Sequence, residues 1–268
     1  MAGENKRPLI LVTNDDGYKA SGLKKLVEVA QRFGDVVMIS AEEPMSGMSH
    51  AITIKTPLRP RLVEERKGFK SYIVNGTPVD GVKLAFNSLL KRRPDLLLSG
   101  INHGSNASSS IVYSGTMAAA IEGAINKVPS IGISLLDYSL EADFTLAGDV
   151  SATIIEKVMQ NGLHTGVCLN VNVPVVNPGE FQGLKVCRQA DGYWQEEFDR
   201  RTDPHGGDYY WLTGYFSNRE PEAKDTDEWA LKNKYASVVP IKVDFTEHDL
   251  LKDLKAWEKD NKTPDADG

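Results

Sequence analysis

Only two of the 268 residues are cysteines, Cys168 and Cys187. Two thiols in a chain of this size call for no disulfide framework and have no metal-ligand spacing, so both are read as buried or half-buried thiols. Long hydrophobic runs are missing as well. The first apolar run, Leu9 to Val12, follows Met-Ala-Gly-Glu-Asn-Lys-Arg-Pro and is too short for a signal-peptide core or a membrane span. The chain is therefore expected in the cytoplasm, with no membrane partner. Positive charge is scarce: 31 Lys and Arg stand against 37 Asp and Glu, a net charge of −6, and the densest basic run is Lys91-Arg92-Arg93. Such a run reads as a solvated helix end favoured by the dipole, which argues against polymeric nucleic acid as the main partner. Repeats and low-complexity segments are absent. Apolar residues make up 41% and charged residues 25%, which is the balance of a folded globular chain and neither disordered nor collagen-like.

What is present is an alternation of periods. Leu9 to Thr13 and Val36 to Ile39 are short continuous apolar runs, the pattern of parallel strands buried on both faces. Between them Leu23, Leu26, Val27, Ala30 and Phe33 repeat at helical spacing, with Ser21 as a cap and Gly34 as a stop. The alternation continues with a helix carrying Val79, Val82, Phe86 and Leu89, a strand from Asp95 to Leu98, and a small-residue helix through Met117, Ala118 and Ile121. It closes with a strand from Ile131 to Ser134, a helix from about Phe144 to Met159, and a strand from Leu169 to Val173 ended by Pro174. This order predicts an α/β fold: a three-layer, doubly wound, Rossmann-like and mostly parallel sheet. Residues 57–74, with Pro57 and Pro60, read as an antiparallel excursion.

A longer departure occupies residues 185–234, where Tyr193, Trp194 and Phe198 precede an Asp203-Pro204-His205-Gly206-Gly207 turn and Tyr209, Tyr210 and Trp211 follow it. This reads as a protruding β-hairpin arm whose exposed aromatics suggest a partner surface. A strand from Val238 to Phe245 then leads to a helix opened by Thr246, with Asp249 at the capping-box position and Leu250, Leu251, Leu254 and Trp257 directed inward. Residues 1–184 with 235–260 are thus expected to form the catalytic body, 185–234 the oligomerisation arm, and 261–268 a frayed tail.

The strongest chemical signal is Asn14-Asp15-Asp16-Gly17 directly after the first buried strand. In an open α/β sheet ligands bind beyond the carboxyl ends of strands, and two adjacent carboxylates there repel one another unless a hard cation such as Mg2+ or Mn2+ joins them. Further oxygens are offered by the strand-end loops Glu42 to His50 and Ser99 to Asn106, while Tyr113-Ser114-Gly115-Thr116 opens a helix whose free N–H groups and hydroxyls suit a phosphate. Together these four loops are the kit of metal-assisted phosphate ester hydrolysis. Other phosphate motifs fail on their residues. Gly17 to Gly22 has the P-loop spacing, but Leu23 stands where the lysine belongs; no G-x-G-x-x-G or G-x-S-x-G occurs; and Gly17 breaks the Asp-x-Asp of aspartyl-phosphate enzymes. His164, His205 and His248 read as structural or solvated, whereas His50 and His103 lie in the site loops and are candidate proton donors.

In order, Leu9-Ile-Leu-Val-Thr-Asn-Asp-Asp-Gly17 with Ala20-Ser-Gly22, Ser46-Gly47, Gly76-Thr77-Pro78, Pro94-Asp95, Ser99-Gly100-Ile101-Asn102-x-Gly104-x-Asn106 and Tyr113-Ser-Gly-Thr-Met-Ala-Ala-Ala120 resemble the survival protein E (SurE) family. The similarity extends to Leu169-Asn-Val-Asn-Val-Pro174, the Asp203 to Trp211 region, Thr226-Asp227 and the strand holding Val238 to Ile241. The resemblance implies a divalent-metal-dependent 5′/3′-nucleotidase acting on nucleoside monophosphates, with some members also cleaving short polyphosphate. It implies Asp15, Asp16, Ser46 and Asn102 as ligands of one Mg2+ or Mn2+ per subunit, with Asp15 and Asp16 also catalytic, and Asn106, Ser114, Gly115 and Thr116 as phosphate-binding residues. It further implies that the arm is exchanged within a homodimer or homotetramer. The family's usual Asp-Arg pair before Ser46-Gly47 is replaced here by Ala41-Glu42-Glu43-Pro44-Met45. The alternatives are a phosphatase that forms an aspartyl-phosphate and, from another class, a non-catalytic nucleotide-sensing or assembly module.

Overall fold

A computed structural model of the chain describes residues 7–139, 141–177 and 179–260; the 261–268 tail lies outside them. Strands β1 (Leu9–Thr13), β2 (Asp35–Ala41), β4 (Phe69–Val74), β5 (Leu96–His103), β6 (Ser130–Leu135) and β7 (Val167–Val173) form the parallel body of one sheet. Its order is β3-β4-β2-β1-β5-β6-β7-β11-β8. β3 (Arg61–Arg66) is the antiparallel excursion foreseen around the two prolines, and β11 (Ala236–Lys242) runs antiparallel to β7 with β8 (Leu184–Val186) parallel to it at the far edge.

The central strands carry their apolar runs because both of their faces are covered. On one side Ile10, Val12, Leu98 and Ile133 pack with Leu23 and Leu26 of α1 (Ser21–Ala30) and with Ala147 and Ile154 of α4 (Thr145–Asn161). On the other, Leu11, Ile39 and Leu97 pack with Val82 of α2 (Pro78–Leu84) and Ala119 of α3 (Gly115–Ile125). Alternate residues of β1 thus enter opposite cores, as the two-residue strand period requires. The expected helix over Val79 to Leu89 holds as α2 only to Leu84 and then widens into a π-turn over Ala85–Leu89. The cap expected of Ser21 is not made; Ser21 is already the first residue of α1, and Ala20 precedes it without a side-chain bond.

Winding reverses at β1. The chain lays β2 on one side of it, and after the excursion returns to lay β5 on the other. Ligands bind at such a switch point beyond the carboxyl ends of the strands, which puts the loops after β1 and β5 at one crevice. Both cysteines are buried, and burial pushes the Cys168 thiol up to about 12 and the Cys187 thiol up to about 11. Among the described residues no helix is long and apolar enough to cross a membrane.

The arm is a separate two-stranded ribbon, β9 (Gly192–Thr202) paired antiparallel with β10 (Asp208–Asn218) across the predicted turn. Within residues 185–234, β8 and α5 (Asp227–Lys232) instead join the main body against β11. The C-terminal helix is α6 (His248–Leu254), followed by a further turn, α7 (Trp257–Asp260); it is capped by Glu247, whose carboxylate accepts from Asp249 N at 3.0 Å, and not by Thr246. Leu250 and Leu251 are 50% and 42% exposed and Trp257 66%, so this stripe faces away from the core.

Candidate active site

Asp15, Ser46, Asn102, Asn106 and Ser114 line one cavity of about 320 Å3, a volume within the small-ligand range of about 300–1,000 Å3. Asp16, Gly115 and Thr116 surround it through direct contacts. The Asp16 carboxylate accepts from the backbone N–H of His103 at 3.1 Å, and the Thr116 hydroxyl donates to the Asp15 carboxylate. At Gly115 a Cβ would stand 2.8 Å from Asp15 Oδ2, so only glycine lets the first turn of α3 approach that carboxylate. All eight residues singled out in the sequence are therefore gathered at the switch point.

Each loop is fixed by bonds that begin outside the reacting groups. Asn14 is fully buried; its amide donates to Gly17 O at 3.0 Å and accepts from Ser40 Oγ at 2.6 Å, which ties the Asp15-Asp16 turn to the end of β2. Met45 N donates to Asp15 O at 2.7 Å, and Ser49 donates from its hydroxyl to Val112 O at 2.7 Å and from its backbone to Tyr113 O at 3.1 Å. Ser46 is held between these anchors. Asn102 donates its amide to His103 O and Gly104 O at 3.0 and 2.9 Å, leaving its carbonyl oxygen as the free end.

The pocket is acidic. Among the described residues no lysine or arginine lines it, and Asp15 and Glu196 are its lining carboxylates. Burial raises the Asp15 carboxyl to about 6, with the Thr116 hydroxyl opposing and the Asp16 charge adding to the rise; Thr116's backbone N–H also stabilises the anion. Asp16 is likewise raised by burial, against the hydrogen bond from His103. Among the described residues, no hydrogen bond ties up the second oxygen of Asp16, the amide oxygen of Asn102 or the hydroxyl of Ser46. Among the described residues there is no cluster of three or more His, Cys, Asp or Glu. Two carboxylates, an amide oxygen and a hydroxyl are instead the all-oxygen donor set that suits a hard divalent cation.

Behind Asn106 lies a buried amide ladder that the sequence did not reveal. Asn172 Oδ1 accepts from Asn106 N at 2.8 Å and Asn172 donates to Asn170 Oδ1 at 2.9 Å. Asn170 in turn donates to Asn106 O at 2.8 Å, and Asn106 donates to Ser134 Oγ at 2.8 Å. The available signal was Asn-Val-Asn-Val in β7, polar residues at period two in an otherwise buried strand. The structure also separates the two loop histidines. His103 lines the cavity, edge-on to Phe144 with ring centroids 4.9 Å apart. His50 lies outside that lining, 3.1 Å from buried Glu122. Burial raises Glu122, but bonds from His50, Lys83 and Asn126 outweigh it and hold the carboxyl below its usual range.

Known proteins resemble this chain in sequence and in fold. The family described as Survival protein SurE matches residues 10–196. A protein of Christiangramia forsetii named 5′-nucleotidase SurE is 53% identical over 94% of this chain and 97% of its own length. One of the same name from Chlorobium luteolum is 40% identical over 96% and 98%. The crystal structure of the SurE protein from Aquifex aeolicus superposes with a TM-score of 0.81 at 35% identity, covering 94% of this chain and all of that one. In sequence and in fold, over nearly its whole length, the chain belongs to the SurE family.

Proposed function

We propose that the chain is a cytoplasmic, metal-dependent 5′-nucleotidase that hydrolyses nucleoside 5′-monophosphates, and 3′-monophosphates as further substrates, to nucleoside and phosphate. The observation that carries the reading is a cavity with acidic side chains and no lysine or arginine, opening onto the N-terminus of α3. A phosphate dianion is repelled by the carboxylates unless a cation accompanies it. Asp15, Asp16, Ser46 and Asn102 would hold one Mg2+ or Mn2+ per subunit, and the chemistry such an ion supplies when bound is Lewis acidity toward a phosphoryl oxygen.

The chain's own groups do the rest. Ser114 Oγ accepts from Met117 N at 3.0 Å as the helix cap, which leaves its O–H to donate to the phosphoryl group beside the Gly115 N–H. Asn106 has one amide hydrogen on Ser134 and the other free for the same group. Thr116 serves indirectly by orienting Asp15. The attacking water gives its proton to one of the two carboxylates, Asp15 or Asp16, and His103 protonates the departing nucleoside oxygen. Residues 1–184 with 235–260, joined by β8 and α5, act as the catalytic body, and the β9–β10 ribbon within 185–234 joins subunits in a homodimer or homotetramer.

The test is phosphate release from a panel of nucleoside 5′- and 3′-monophosphates with Mg2+, Mn2+ or chelator, on wild type beside Asp16→Ala. Release is expected to need metal and to fall about a hundredfold or more in the variant. The same ions are expected to raise the unfolding temperature of wild type and not of Asp16→Ala. A folded wild type that binds nucleotide and releases no phosphate with any metal is instead the sensing module.

A further inference from the structure

Part of the cavity wall comes from the arm of the same chain. Trp194, Glu196 and Leu212 line it together with Tyr113 and Tyr138 of the body. The register pairs Trp194 with Phe216, Glu196 with Gly214 and Phe198 with Leu212, so Trp194, Glu196 and Leu212 belong to one face of the ribbon. Trp194 is fixed there: its indole N–H donates to Ser110 Oγ at 3.1 Å, in the turn that leads into α3. Tyr138 is placed by Gly104, where a Cβ would stand 2.3 Å from its ring.

Glu196 is the informative residue. Among the described residues its side chain takes part in no salt bridge, and Gly214 opposite it offers no side chain to cover it. Without a cation between them a carboxylate and a phosphate repel one another, and Glu196 is not among the residues that would hold the cation. It suits a neutral donor group of the substrate, and vicinal hydroxyls present two donors to its two oxygens. Indole and phenol faces beside it suit a planar heterocycle, which stacks on aromatic rings whatever its hydrogen-bonding edge.

We propose that this arm face is the ribonucleoside subsite: Trp194 takes the base, and Glu196 takes the 2′- and 3′-hydroxyls of a 5′-nucleotide. The assignment rests on the nucleotidase reading above. It makes the arm a specificity element, with its opposite face, carrying Tyr193, Tyr209, Trp211 and Tyr215, left for other contacts.

The experiment compares kcat/KM for AMP, 2′-deoxy-AMP, ribose 5-phosphate and phenyl phosphate in wild type, Glu196→Gln and Trp194→Leu, with binding of free adenosine and 2′-deoxyadenosine followed in chelator. Wild type is expected to prefer AMP to 2′-deoxy-AMP. Glu196→Gln is expected to bring that ratio near one, with any change on phenyl phosphate shared by 2′-deoxy-AMP. Trp194→Leu is expected to lose about tenfold or more on AMP and on adenosine binding, with ribose 5-phosphate unchanged. An unchanged ribo-to-deoxy ratio in Glu196→Gln, or equal losses on AMP and phenyl phosphate in either variant, overturns the subsite. A wild type inactive on every ester that still binds adenosine through Trp194 and Glu196 retains the subsite and removes the nucleotidase.

Discussion

Replacing Asp15 by asparagine is expected to abolish turnover and, in the absence of metal, to strengthen the fold. Asp15 is almost wholly buried, and its carboxyl titrates at about 6 in the folded chain against an ordinary 3.8. A folded-state pKa above the unfolded value means that the native state holds the proton more tightly. Stability on this account is greatest below pH 3.8, is lost as the pH rises to about 6, and stays lost above it. Asparagine carries no charge, and its carbonyl can still accept from Thr116. In chelator, Asp15→Asn should therefore unfold at a higher temperature than wild type at pH 8, with the gap closing as the pH falls toward 4. Added Mg2+ should stabilise wild type and narrow the gap from the other side. An asparagine variant less stable than wild type at pH 8 in chelator would show that the Thr116 contact outweighs burial.

At the scale of elements, the root of the arm hangs on one carboxylate. Asp227, at the start of α5, is fully buried; its oxygens accept from Ala190 N at 2.9 Å, Glu228 N at 2.9 Å and Ser108 N at 2.8 Å. One side chain thus joins α5, the connection from β8 into the arm and the turn before α3. Asp227→Ala leaves those donors without an acceptor and is expected to cost about 3 kcal/mol or more in urea unfolding, with Asp227→Asn losing less. Amide exchange at Ser108 and Ala190 should quicken before that of β1. Little of this was legible in advance. Thr226-Asp227 stood out only as a motif, because its partner at Ser108 lies 119 residues away and no local period records such a contact. The sheet was legible for the opposite reason: strands buried on both faces leave unbroken apolar runs, and the site loops follow them directly. The amide ladder of Asn106, Asn170 and Asn172 falls between these cases, marked by polar residues in a buried strand but without a named partner.

For the whole molecule, the misread C-terminal helix is the most informative departure. An amphipathic stripe has the same spacing whether its cover comes from its own chain or from another, so Leu250, Leu251 and Trp257 could be recognised as a stripe but not assigned a partner. In the folded chain they remain exposed beside Phe245, which is 95% exposed, and the aromatic outer face of the arm is a second uncovered surface. Apolar surface gathered on two separate elements is what a self-associating chain presents. The protein is accordingly expected to sediment as a dimer or tetramer. Tyr209→Ser with Trp211→Ser, on the arm face turned from the cavity, should lower the assembly mass if the arm joins subunits. Phe245→Asp with Leu251→Asp should lower it through the C-terminal helix. If each pair reduces a tetramer to a dimer and the four changes together yield a monomer, two independent interfaces build the assembly. A wild type that sediments as a monomer at micromolar concentration would leave both surfaces without a self-partner and the arm with its role at the nucleoside pocket alone.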